Sequence, residues 1–149
     1  MALVVDCSVT LAWFLEDERS PFTDAILRES ETSDHWVPAV WPLEFSNGLL
    51  MAERRKRIAR EARLDALERV LLPGLRIDTA PADMRAVSAV AERHGLSTYD
   101  ASYVELASRL GCGLATLDRG LAQAAAMEGV AVQSPGRGGA AQRRRRYNI

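Results

Sequence analysis

The sequence is poor in the residues that bind soft metals or form disulfides. Among 149 residues it has two cysteines, Cys7 and Cys112, and two histidines, His35 and His94. No Cys/His set has zinc-ligand spacing, which excludes a zinc module. Cys7 ends an apolar run and Cys112 lies between two glycines, so both read as buried or half-buried thiols of a reducing compartment. Lysine is nearly absent, Lys56 being the only one. No apolar stretch reaches the roughly 20 residues that a bilayer crossing needs. The apolar start, Met1 to Val5, carries no basic residue and is cut short by Asp6, which argues against a secretory signal. A cytoplasmic protein with no membrane role is expected.

What is present suits one globular domain. Hydrophobic residues make up 48% and charged residues 26% of the chain, and a chain of this length buries roughly 70% of its unfolded surface. The net charge of −1 conceals an asymmetry. Residues 135–149 hold five arginines (Arg137 and Arg143 to Arg146) and no acid, so the rest of the chain has 14 basic against 20 acidic residues, a charge of −6. Such a body does not attract nucleic acid by charge alone; local basic patches or bound cations must supply the attraction. The expected organisation is a domain over 1–133 followed by an Arg/Gly-rich tail, 134–149, with the composition of a disordered segment.

Along the chain, short apolar runs alternate with helical patterns. Ala2 to Val5 reads as a buried strand, with Ser8 able to cap a helix to about Glu16. Pro21 opens a helix to about Glu31, and Trp36, Val37 and Val40 form a short extended segment. Pro42 opens a long helix to about Arg57, and another spans Arg60 to Leu72, ended by Pro73-Gly74. Leu75 to Ile77 is a brief strand. Pro81 precedes a helix ending at His94-Gly95, and Ser97 or Thr98 caps a helix to Leu110. Leu114 to Leu117 is a further strand, Asp118 starts a helix to Met127, and Val130 to Val132 is the last strand. This alternation predicts an α/β fold: a central parallel sheet of about four or five strands with helices on both faces. In such sheets the working groups collect outside the carboxyl ends of strands, where strand order reverses. Asp6 and Asp118 stand at two such ends; whether their strands are neighbours is left open by the sequence.

Four acids are candidates for that work. Asp6 could instead favour the positive end of the following helix, although Ser8 already serves as its cap. Asp118 could simply be an N-cap. Asp100 is more informative, because it falls within the apolar arc of Tyr99, Tyr103, Val104, Leu106, Ala107 and Leu110, opposite Ser102, Glu105 and Arg109. A charge placed there needs compensation. Glu44 likewise lies away from the polar edge of its helix, beside Gly48 and Met51, and Trp41 three residues earlier cannot form a capping box with it. Two carboxylates about 4 Å apart repel by roughly 4 kcal/mol at an effective dielectric of 20. A cluster of four therefore takes up protons or cations, and all-oxygen ligation suits Mg²⁺ or Mn²⁺.

The segments VVDCSV at 4–9, LEFSN at 43–47, TYDASYVELA at 98–107 and ATLD at 115–118 resemble, in order and approximate spacing, the four acidic motifs of PIN-domain proteins. They are most similar to those of VapC-type ribonuclease toxins of bacterial toxin–antitoxin pairs, over about residues 2–133. The resemblance implies that Asp6, Glu44, Asp100 and Asp118 are catalytic and bind Mg²⁺ or Mn²⁺. It implies that Ser8 and Thr116 support the acids or contact water and phosphate, and that Asn47 is a polar residue of the site. It further implies adjacent first and fourth strands, RNA as substrate, homodimers, and inhibition by a cognate antitoxin. The Arg-rich tail has no counterpart in the motifs.

Arg54, Arg55, Lys56 and Arg57, with Arg60 and Arg63, form either a solvated face or a surface for RNA or antitoxin. Trp13, Trp36 and Trp41 flank the acid-bearing segments and fit core packing or a dimer interface better than base stacking. Two other functions compete with RNA hydrolysis. An aspartate-dependent phosphatase would need a second acid two residues after Asp6, where Ser8 stands. A non-catalytic PIN-like module binding RNA or protein is disfavoured by the presence of all four acids.

Overall fold

The computed structural model describes residues 1–71 and 74–136. Leu72, Pro73 and tail residues 137–149 lie outside the described residues, so the expectations placed on them find no counterpart below. The chain runs β1 (Leu3–Val5), α1 (Cys7–Ala12), a 3₁₀ turn (Glu16–Glu18), α2 (Pro21–Ser30), β2 (His35–Val37), α3 (Trp41–Arg54) and α4 (Arg60–Arg69). It continues with β3 (Leu75–Ile77), α5 (Met84–His94), α6 (Thr98–Leu110), β4 (Gly113–Ala115), α7 (Arg119–Met127) and β5 (Val132–Gln133).

The described strands form a parallel five-stranded sheet in the order β3-β2-β1-β4-β5. Leu3, Val4 and Val5 are all sealed from solvent, as a strand covered on both faces requires. Connections from β1 to β2 and from β2 to β3 step one way across the sheet; those from β3 to β4 and from β4 to β5 step the other way. Right-handed crossovers then place α1–α4 on one face and α5–α7 on the opposite face. The direction reverses between β1 and β4, which is where a ligand crevice opens in such a sheet.

The start of β4 is fixed by backbone geometry. Gly111 ends α6 with φ +65°, a left-handed conformation that costs glycine little. At Gly113 a Cβ would lie 3.0 Å from the Ala131 carbonyl oxygen and 3.1 Å from Leu3 Cδ2, so a side chain there would push β1 or the segment before β5 back by a few tenths of an ångström.

Several expected boundaries shift. α1 stops at Ala12 rather than near Glu16 because the chain turns at Trp13, whose Nε1–H donates to the Thr23 carbonyl at 2.9 Å and anchors α2. Ser8 is not a helix cap; its hydroxyl is used elsewhere. Glu105, expected on the exposed side of α6, is buried. α5 packs extensively along α6, and Arg109, itself bonded to Asp78, donates to Glu105 at 2.8 Å. That ion-paired arrangement satisfies the buried carboxylate. Tyr99 and Leu110, placed on the apolar arc, lie at the two ends of α6 and remain exposed.

Candidate active site

Asp6 follows β1 directly, and its N–H extends the ladder by donating to the Ala115 carbonyl at 2.9 Å. The residue occupies the N-cap position of α1, yet its side chain makes no capping hydrogen bond. Its Oδ2 instead accepts two hydroxyl protons, from Ser8 at 2.6 Å and from Thr116 at 3.0 Å. Both hydroxyls are in turn fixed by the segment after β4. Ser8 Oγ accepts from the Leu117 N–H at 3.2 Å, and Thr116 Oγ1 from the Asp118 N–H at 3.0 Å. The Asp6 carboxyl is wholly buried, and such a group is stable only with donors aimed at it. Ser8 and Thr116 provide them.

Asp118 stands beside this clamp. Its Oδ1 accepts from the Leu121 N–H at 3.0 Å, so it caps α7 as one of the two sequence readings anticipated. The cap engages one oxygen and fixes the orientation of the carboxylate, which leaves a role in chemistry compatible with it.

The other two acids come from the two helical layers. Glu44 lies in the first turn of α3, just past the carboxyl end of β2, and is buried. The helix is held in place by Trp41, whose Nε1–H donates to Thr10 Oγ1 at 2.9 Å while its ring stacks on Phe45 at 5.1 Å. Asp100 is half-buried in the first turn of α6, where its N–H donates to the Ser97 cap at 3.1 Å. One turn further along, Tyr103 reaches the opposite layer: its hydroxyl donates to Glu44 Oε1 at 2.7 Å. The sequence reading treated Tyr103 only as part of an apolar face. The signal it missed was that a fully buried tyrosine hydroxyl must find a partner.

The structure therefore joins Asp6 to Asp118 through Ser8 and Thr116, and Glu44 to the Asp100 helix through Tyr103. Asp6, Glu44 and Asp118 each follow the carboxyl end of a strand. α6 packs on β1 and β4 and leads by its C-terminus into the start of β4, so its first turn, which carries Asp100, lies at the same end of the sheet. Asn47 is half-buried on α3, one turn after Glu44. Among the described residues, no three His, Cys, Asp or Glu side chains form a ready metal shell. Instead Asp6, Glu44 and Asp118 each turn an oxygen toward a protein donor. The donors on offer are carboxylates and hydroxyls, a set of hard oxygens that fits Mg²⁺ or Mn²⁺ and does not fit a thiophilic ion.

The basic run behaves less uniformly than its sequence suggests. Arg57 is engaged by Asp17 at 2.8 Å and Glu18 at 3.0 Å, and Arg63 by Glu53 at 3.2 Å. The hydrogen bonds from Arg57 hold the Asp17 carboxyl below its ordinary range. Arg54, Arg55 and Lys56 are exposed, but Arg54 lies ten residues after Glu44 on α3, about 15 Å along the helix axis. Trp13 and Trp41 are core residues, while Trp36 is half-buried with the Arg76 guanidinium 5.9 Å from its ring centroid.

Comparison with known proteins agrees with this fold. The family model described as PIN domain matches residues 3–127. Ribonuclease VapC3 of Pyrobaculum aerophilum is 30% identical over 125 residues, covering 83% of this chain and 94% of the relative. The crystal structure of PAE2754 from the same organism superposes with a TM-score of 0.66 at 27% identity, over 89% of this chain and 92% of the other. VapBC2 of Rickettsia felis, solved bound to a DNA fragment from its promoter, gives a TM-score of 0.66 at 12% identity, over 90% and 98% of the two chains. At that identity the likeness is one of fold. With the adjacent β1 and β4 strands, the acids at their ends and the match across most of its length, this chain belongs to the PIN domain family.

Proposed function

We propose that the chain is a VapC-type ribonuclease toxin that hydrolyses RNA phosphodiester bonds with Mg²⁺ or Mn²⁺ held by Asp6, Glu44, Asp100 and Asp118. The observation that carries this reading is the clamp on Asp6. Two hydroxyls fix a buried carboxylate at the point where strand order reverses, and one of them also fixes the backbone of Asp118. Folding alone gives no reason to bury an aspartate there and supply it with two donors, since an apolar residue in its place costs less. The similarity to Ribonuclease VapC3 gives the reaction class.

A divalent cation held by these acids would supply Lewis acidity toward the phosphoryl group and would lower the pKa of a water, so that it gives up its proton and becomes a strong nucleophile. The chain's own residues do the positioning. Ser8 and Thr116 hold Asp6 in one orientation, the α7 cap holds Asp118, and Tyr103 holds Glu44. Asp100 supplies negative charge from the first turn of α6, on the opposite layer from Glu44. The same reading includes a small cognate antitoxin as inhibitor, a homodimer, and a cytoplasmic location, each implied by the resemblance to VapC-type toxins. No described helix is long and apolar enough to cross a membrane.

The test is cleavage of candidate RNAs with Mg²⁺ or Mn²⁺, with and without EDTA, by wild type and Asp100→Asn. Loss of cleavage on chelation, and a rate at least about 100-fold lower in the variant, is expected from removal of a metal-ligating charge. Full activity in Asp100→Asn, or indifference to EDTA, overturns the reading. RNA binding without cleavage under every metal would establish a binding module instead.

A further inference from the structure

Resting on the metal reading above, we infer that Tyr103 is the positioning residue for Glu44: its hydroxyl sets the orientation in which that carboxylate meets the cation. Tyr103 and Glu44 are 59 residues apart and belong to helices on opposite faces of the sheet, yet their oxygens are 2.7 Å apart. Both side chains are buried, Tyr103 completely. A hydroxyl–carboxylate bond this short in such surroundings has little freedom, so the rotation of the Glu44 carboxylate follows the placement of the phenol.

The phenol is itself held rigidly. It sits mid-helix on α6, between Ala101 and Val104 to Ala107, all of them buried, and one turn after Asp100. A single helix thus supplies one acid directly and orients a second acid through a hydrogen bond. The two acids then keep a fixed relation although they come from different layers. This is the role that outer-shell partners play for metal-ligating carboxylates, where loss of the partner typically lowers metal affinity about 10- to 100-fold.

The experiment measures Mn²⁺ affinity of the full chain by titration calorimetry, without RNA, for wild type, Tyr103→Phe, Glu44→Gln and the double variant. Thermal unfolding of each variant checks that it is folded. Tyr103→Phe removes one oxygen and keeps the ring. It should weaken Mn²⁺ binding at least about tenfold, and the same change in the Glu44→Gln background should have little further effect, because the phenol influences the cation by orienting that carboxylate. The double variant also serves if Tyr103→Phe alone folds poorly, since it removes the buried charge as well. Unchanged affinity in Tyr103→Phe, or an equal loss in both backgrounds, overturns the inference while leaving the metal site standing. Wild-type protein that takes up no Mn²⁺ overturns the metal site and this inference with it.

Discussion

Replacing Thr116 with valine keeps the branched shape of the side chain and deletes one oxygen. In the structure that oxygen donates to Asp6 Oδ2 at 3.0 Å and accepts from the Asp118 N–H at 3.0 Å, and Thr116 is fully buried. A hydrogen bond to a charged acceptor contributes about 1.5–3 kcal/mol, and a buried N–H left unpaired costs about 1–3 kcal/mol more. Asp118 is half-buried, so its N–H recovers part of that cost from water. The expected destabilisation is therefore about 2–4 kcal/mol, which for a domain of this size lowers the melting temperature by roughly 4–16 °C. Urea unfolding followed by fluorescence suits the measurement, because Trp13 and Trp41 are both buried. Pairing Thr116→Val with Asp6→Asn in a double-mutant cycle isolates the contact, with an expected coupling above about 0.5 kcal/mol. A cost below about 0.5 kcal/mol, with the two changes simply additive, would show that the clamp does not hold Asp6 and would refute the reasoning built on it.

Three further outcomes follow from the same structure. Mg²⁺ should raise the melting temperature of wild type more than that of Asp100→Asn, because ligand linkage acts only through a site the folded state retains; equal shifts would disconnect Asp100 from the cation. His35 is wholly buried, its Nδ1 accepts from the Leu3 N–H at 3.2 Å, and burial lowers its pKa from 6.5. The unfolded chain then binds the proton more readily, so the contribution of His35 to stability is complete above pH 6.5 and is lost as pH falls toward the depressed folded value. His35→Asn, which can still accept from Leu3, should flatten this acid limb by up to about 1.4 kcal/mol per pH unit, as read from urea midpoints at pH 7.5, 6 and 5 chosen roughly one unit around the transition; an unchanged slope would place the acid sensitivity elsewhere. Arg57→Ala should cost about 1–2 kcal/mol: the Asp17 side chain is 65% exposed and that pair is screened, while the Glu18 side chain, 14% exposed, loses a better-shielded partner. A salt-insensitive loss of several kcal/mol would mean that Arg57 has a structural role its contacts do not reveal.

The architecture was legible because strand and helix periods differ and because capping residues mark helix starts. Ser97, Asp118, Gly95 and Gly111 all end or begin helices where their chemistry suggests. Asp6 and Asp118 could be paired only through the family resemblance, since nothing in their spacing reveals that β4 lies beside β1. Ser8 was misread for a physical reason. A serine three residues after a strand can cap a helix or turn back to the acid two residues before it, and the choice depends on the Leu117 N–H, which is remote in sequence. Glu105 was misread because helical periodicity assumes one covered face, whereas α6 is covered by both the sheet and α5. Arg57 looked like part of a free basic face because its partners, Asp17 and Glu18, lie about 40 positions away and meet it only after folding.

The bond from Thr116 to Asp6 spans 110 positions, and this has a consequence for synthesis. Of the described strands the earliest made, β1, is the middle one of the sheet, and one of its two edges waits for a neighbour made more than a hundred positions later. Until β4 arrives, Leu3 to Val5 present an apolar, unsatisfied edge to the solvent, and the carboxylate that follows them has one of its two hydroxyl anchors missing. Until those 110 positions have been made the edge is open to mispairing, and the acids become fully oriented only once β4 and α7 have docked.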